Sequence, residues 1–184
     1  MALVYTPPGE LGVKCPDFHL RSVDGRTFSR DDFTSRKALV VMFICNHCPY
    51  VRAVEERILA LARSYRPQDV AFVAICSNDP SEYPEDAPNE LLKRSQEMLY
   101  PFPYLIDEDQ LVAQEFAAVC TPDFFVFDQE LTLRYRGRLD DSWKNPSTVR
   151  RQELKSALDL ICEGKTVADQ QNPSMGCSIK WKNK

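Results

Sequence analysis

The sequence predicts an α/β fold in which a central mixed sheet is flanked by helices. Three observations carry that prediction. Residues 38–44, ALVVMFI, form a continuous apolar run rich in β-branched side chains, the pattern of a strand buried on both faces. Residues 70–75, VAFVAI, form a second such run. Between them Val51, Val54, Ile58, Leu61 and Tyr65 recur at spacings of three and four, which is one apolar helical stripe, and Pro67 ends it. A strand, a helix and a strand in that order pack with a right-handed crossover and parallel pairing.

The other elements follow in chain order. Residues 13–33 read as a β-hairpin, because Asp24-Gly25 is a strong turn signal between alternating apolar positions. Residues 77–90 are acidic, contain three prolines and show no periodicity, so they read as a loop. A helix over 90–99 and a short strand over 102–106 make an extra αβ insertion, and a helix over 109–118 follows it. FFVFD at 124–128 and LTLRYRG at 131–137 read as an antiparallel hairpin with Asp128, Gln129 and Glu130 at its turn. The last helix, 149–162, carries Leu154, Leu158 and Ile161 on one side, and Gly164 stops it.

With 184 residues, 43% of them apolar and 27% charged, the chain suits one domain spanning 1–184. Its core is expected over about 10–163, with 164–184 as a C-terminal extension. The formal net charge of −4 offers no basic field for nucleic acid. The one basic cluster, Lys180, Lys182 and Lys184, reads as a solvated terminus. The opening MALVYTPPGELG lacks the basic and apolar segments of a secretory leader, and no apolar run is long enough to span a bilayer. These features give the expectation of a cytoplasmic chain without membrane contact.

Seven cysteines, at 15, 45, 48, 76, 120, 162 and 177, are an odd number in a chain longer than most disulfide-stapled domains. Most should be thiols, and any pair that cycles should be catalytic or sensory. Cys45 and Cys48 sit three apart in FICNHCPYV, where the first buried strand ends and the helix begins. There the unpaired N–H groups and positive dipole of the helix end favour a thiolate, expected at Cys45. His47, inside the pair, would favour it further. Pro49 falls early in the helix, where a missing N–H costs little. A metal centre would need further soft ligands, and the sequence shows no second CxxC or paired histidines, so no metal and no organic cofactor are expected. Cys15, Cys76 and Cys162 read as core thiols.

These features together resemble the thioredoxin-like superfamily, in its redoxin branch of ResA/TlpA-type thiol–disulfide oxidoreductases and the alkyl hydroperoxide reductase/thiol-specific antioxidant group. The resemblance covers about residues 10–163 and rests on CPDFHL…DGRTFS, the strand–CNHC–helix, the extra helix and strand before YLIDEDQ, and CTPDFFVFD. A lone CxxC is a weak signal. A CxxC followed by a Thr-Pro that enters a β-hairpin is a strong one. The resemblance implies a thioredoxin fold, with Cys45 as the attacking thiol, Cys48 as the resolving thiol and Thr121-Pro122 as the cis-proline peptide that shapes the substrate groove. The implied partners are protein or small-molecule thiols and disulfides and a protein that supplies or removes electrons. Cys120 and Cys177 are candidate auxiliary thiols, Cys177 as a mobile one beyond the fold proper, with Trp181 as an apolar anchor.

The chain departs from the pattern at two places. Ile44 stands where thioredoxins have a tryptophan before the first cysteine, and Leu39 stands where they bury an aspartate that accepts the resolving thiol's proton. Two other functions remain open. A peroxiredoxin-like peroxidase would want a Thr or Ser three residues before its cysteine, which is absent at Cys48, although Arg134, Arg136 or Arg138 could supply a guanidinium. A binding module with a vestigial dithiol would use the loop at 77–90 and the tail.

Overall fold

The structure is a computed structural model that describes residues 3–182. The apolar runs become the centre of a seven-stranded sheet. β1 (Leu3–Tyr5) lies apart from it. β2 (His19–Ser22) and β3 (Thr27–Ser29) form the expected hairpin. β4 (Ala38–Phe43) leads into α1 (Pro49–Tyr65), then β5 (Val70–Cys76), α2 (Pro88–Glu97) and β6 (Tyr104–Ile106). After them come α3 (Leu111–Glu115), β7 (Cys120–Thr121), β8 (Asp123–Asp128), β9 (Leu133–Gly137), α4 (Glu153–Cys162) and β10 (Met175–Ser178).

The large sheet runs β3-β2-β6-β5-β4-β8-β9, with β4, β5 and β6 parallel and the remaining pairs antiparallel. Alternation along β4 fixes the layers. Ala38, Val40 and Met42 face the cluster that includes Val54 and Ile58 of α1 and Leu158 of α4. Leu39, Val41 and Phe43 face the opposite cluster, which includes Phe33 and Phe116. Every residue of β4 is buried, as a strand covered by helices on one face and loops and a short helix on the other must be. Leu39 therefore fills core on the face away from α1.

Of the boundaries that differ from the sequence expectation, four have clear local reasons. α2 begins at Pro88, two residues early, because proline is tolerated at the first helical position. α3 keeps only five residues, since Gln110 and Ala117 adopt left-handed backbone at φ 63° and 49°. β9 starts at Leu133, because Leu131 at φ 54° belongs to the turn. α4 starts at Glu153, after a tight turn at Pro146–Thr148.

The tail requires the largest correction. β10 is the middle strand of a second, antiparallel sheet, β1-β10-β7, so residues beyond 163 belong to the packed structure. Ile179, 3% exposed, is its apolar anchor, and Trp181 is 43% exposed. Lys180 donates to Ser178 and lies over the Tyr83 ring, so the basic tail is tied down here, while Lys184 lies outside the described residues. Among the described residues no helix is long and apolar enough to cross a membrane.

Candidate active site

β4 ends at Phe43 and α1 begins at Pro49, and the connecting turn holds both cysteines. All seven cysteines are thiols. The Thr121–Pro122 peptide is cis and lies against the pair. Thr121 touches both sulfurs: its hydroxyl is 3.2 Å from Cys45 Sγ, and its carbonyl accepts from Cys48 Sγ at 3.1 Å. The residues predicted from sequence as dithiol and groove are thus brought together.

Two expectations about the pair need correcting. Cys45 is 2% exposed and Cys48 0%, so neither sulfur stands open at the surface. Cys45 lies inward against Cys76, His47 and Asp86, while on the Cys48 side the tail closes in: β10 pairs with β7 in a register that sets Cys177 opposite Thr121. The helix end also meets a different sulfur, because Cys48 is the N-cap of α1 and the Val51 N–H points to it.

The two thiols ionise as one unit. The hydrogen bond between the sulfurs lowers Cys48 from 9.0 to about 5, against the cost of burial and with help from Thr121, the Val51 N–H and Cys177. Burial first, then that same bond and the Asp86 charge, raise Cys45 well above the ordinary thiol value. Cys48 faces a carbonyl, which a thiol satisfies and a thiolate does not, whereas Cys45 faces a hydroxyl. The single negative charge is therefore a property of the pair: one proton leaves readily and the other is held.

The His47 side chain is 3% exposed. Its ring stacks on Tyr83 with centroids 4.1 Å apart, and Nδ1 lies 3.6 Å from Cys45 Sγ and 2.5 Å from Asp86 Oδ2. Asp86 is the residue that sequence reasoning missed. Its Oδ1 accepts the backbone N–H of Asn46 at 2.8 Å and of His47 at 3.1 Å, and its Oδ2 accepts from Asn78 Nδ2 at 2.8 Å. Burial pushes its carboxyl up, but the bonds from His47 and Asn78 outweigh that and hold it below the usual range. Its only sequence signal was an acidic residue in a loop without periodicity.

Cys45, His47 and Asp86 also bring three potential metal-binding atoms within 4.8 Å. They do not fit a cation. A carboxylate offers about four lone-pair sites, and four N–H groups already fill those of Asp86.

The auxiliary cysteines separate. Cys177 is 1% exposed and fixed in β10, so it is not a mobile thiol, and it hydrogen-bonds the Cys48 sulfur. Cys120 is fully buried and turns to the Pro122 carbonyl at 3.8 Å. Cys15 and Cys76 are core thiols as read, while Cys162 is only half-buried at the end of α4. Of the three arginines, Arg134 pairs with Asp128, Arg138 with Glu153, and Arg136 with Asp123 at 3.1 Å.

The mixed sheet, its flanking helices and a dithiol turn ahead of α1 define a protein of thioredoxin fold, which comparison bears out. A thiol:disulfide interchange protein of Chlorobium tepidum shares the fold at TM-score 0.62 and 18% identity, over 83% of this chain and 95% of that one. Residues 11–136 match the AhpC/TSA family, and the chain belongs to that family. An uncharacterized conserved protein from Geobacillus kaustophilus is 47% identical at TM-score 0.95, over 100% of this chain and 98% of that chain. A hypothetical protein from Sinorhizobium meliloti 1021 is 38% identical at TM-score 0.91, over 97% and 98%. No curated protein matches the sequence.

Proposed function

We propose that the protein is a thiol–disulfide oxidoreductase that exchanges disulfides through Cys45 and Cys48. The observation that carries this reading is the contact of both sulfurs with Thr121, beside Pro122. Cys45 attacks a substrate disulfide and forms a mixed disulfide, while the departing thiolate takes a proton. Cys48 then attacks the Cys45 sulfur, so the second substrate thiol leaves and a Cys45–Cys48 disulfide remains. When the single charge of the pair rests on Cys45, the Thr121 hydroxyl donates to it and the Thr121 carbonyl orients the Cys48 proton. His47 and Asp86 hold the turn.

The partners of this reading are thiols and disulfides of proteins or small molecules, with no metal or organic cofactor in the exchange. Trapping tests it. Cys48→Ser should accumulate a mixed disulfide on Cys45 when mixed with an oxidised substrate, and Cys45→Ser should not. A Cys48→Ser protein that forms no adduct overturns the reading.

A second reading, thiol-dependent peroxidase, is favoured by the burial of both sulfurs, which suits an oxidant as small as a hydroperoxide. Peroxide consumption with a thiol reductant separates the two. Rapid turnover that survives Cys45→Ser supports the peroxidase.

A further inference from the structure

The dithiol exchange leaves one thiol of the same cluster unused. Cys177 lies opposite Thr121 in the β7–β10 register, and Thr121 is the residue in contact with both redox sulfurs. The strand is held there along its length. Thr6 N–H donates to the Ser174 carbonyl on one side, and Ile179 N–H donates to the Val119 carbonyl on the other. Beyond them Lys180 N–H donates to Asn78 Oδ1, and Gln110 Nε2 donates to the Lys180 carbonyl. Gly176 permits the close approach, since a Cβ there would stand 1.9 Å from the Thr121 carbonyl oxygen. The Cys177 thiol thereby reaches the Cys48 sulfur and bonds to it.

We propose that Cys177 is a third redox thiol, which exchanges with a Cys45–Cys48 disulfide to give a Cys48–Cys177 disulfide that fastens the C-terminal strand over the groove. The proposal rests on the dithiol reading above. In the step, the Cys177 thiol loses its proton and its sulfur attacks Cys48. The Cys45–Cys48 bond breaks, and Cys45 leaves with the electron pair and takes up a proton. One disulfide and one thiol stand on each side, so no oxidant is consumed. The oxidising equivalents enter earlier, from the substrate disulfide that made the Cys45–Cys48 bond.

Part of what holds the proton on Cys177 is relieved when Cys48 enters a disulfide. Burial raises Cys177 first, followed by the hydrogen bond and charge of Cys48, to about 12. The last two causes vanish once Cys48 is in a disulfide, while the nearby Lys180 charge still acts to lower it. The leaving Cys45 sulfur meets the Thr121 hydroxyl as a donor. The consequence is functional: the exchange returns Cys45 to the thiol form while the molecule stays oxidised.

Peptide mapping after equilibration with glutathione and glutathione disulfide tests this. Trypsin cuts after Lys37, Arg52, Lys165 and Lys180, so a Cys45–Cys48 bond stays inside peptide 38–52, whereas a Cys48–Cys177 bond joins 38–52 to 166–180. The joined pair is expected, with Cys45 carrying the alkylating label. Cys177→Ser should lose the joined pair and keep the Cys45–Cys48 bond. Because it has one oxidised form fewer, it should also need a higher glutathione disulfide ratio to reach half-oxidation. Two results overturn the proposal: Cys177 fully labelled in oxidised wild type with identical midpoints for the two proteins, or a joined pair in which Cys48 carries the label. If neither bond forms at any ratio, the dithiol reading itself fails and the third thiol falls with it.

Discussion

Asp86 and His47, 39 positions apart in the chain, meet at 2.5 Å, and the same carboxylate accepts both backbone N–H groups that enter the dithiol turn. The turn is therefore built around a buried anion. Asp86→Asn keeps the shape and removes the charge. Hydrogen bonds to a charged group contribute about 1.5–3 kcal/mol, so the variant should lose about 2 kcal/mol in a urea unfolding midpoint measurement. The Asp86 charge also raises Cys45, so neutralising it should move the titration of Cys45, followed by NMR, to lower pH. A shift to higher pH would contradict this account.

The reduced dithiol should make stability depend on pH. The lowered thiol, with Cys48 at about 5 against an ordinary 9.0, contributes stability that is fully present above 9.0 and is lost as pH falls through 5. The raised partner, Cys45, has the opposite sense and lowers stability once pH exceeds the ordinary thiol value. The contribution of the pair should thus grow between pH 5 and 9 and decline above. Asp123, raised by burial to about 7 despite Arg136, opposes this trend, because its contribution is present below the ordinary 3.8 and is lost as pH rises through 7. The difference between wild type and Cys48→Ser in unfolding free energy isolates the dithiol. A difference that stays flat from pH 5 to 9 would show that the pair keeps both protons.

How far these features could be read from sequence depended on the length of the pattern that carries them. β4 announces itself as an unbroken apolar run and α1 as a helical stripe over seventeen residues, of which Val51, Val54, Ile58 and Tyr65 are buried and Leu61 half-buried. The CxxC and Thr-Pro are local motifs, and their meeting follows from the strand order. Asp86 lies in an aperiodic loop, and its role comes from a contact across 39 residues. β10 has four residues and its partners two and three, too few for a period of two to show. The burial of the dithiol is not legible in the sequence either, since the strand beside Cys48 leaves no pattern to read.

Arg136 and Asp123 form a pair in which both side chains are almost fully buried, and Arg136 also donates to the Ala117 carbonyl and lies 4.7 Å over the Phe125 ring. Breaking a buried pair from one side leaves an uncompensated charge, at a cost of about 3–5 kcal/mol. Arg136→Met should lose that much in chemical denaturation. Adding Asp123→Asn to it should restore part of the loss, since the orphaned carboxyl, already raised to about 7 by burial, is then gone. If the double variant is no more stable than Arg136→Met, the cost lies in packing against Phe125 and not in the charge.

Gly176 gives a handle on the strand that lies against Cys48. A methyl group there would meet the Thr121 carbonyl oxygen at 1.9 Å and its carbon at 2.6 Å, and both are backbone atoms that no rotamer change can move. Gly176→Ala must therefore push β10 off β7, at the overpacking cost of about 1–3 kcal/mol or more. Displacing the strand takes Cys177 away from Cys48 and leaves the large sheet intact, because β7 and β10 belong to the small one. Iodoacetamide should label Cys48 of the reduced variant faster than that of wild type, with circular dichroism little changed. Amide exchange at residues 175–178 should accelerate in parallel. Equal labelling rates in the two proteins would mean that reagents reach the sulfurs by a path the strand does not close.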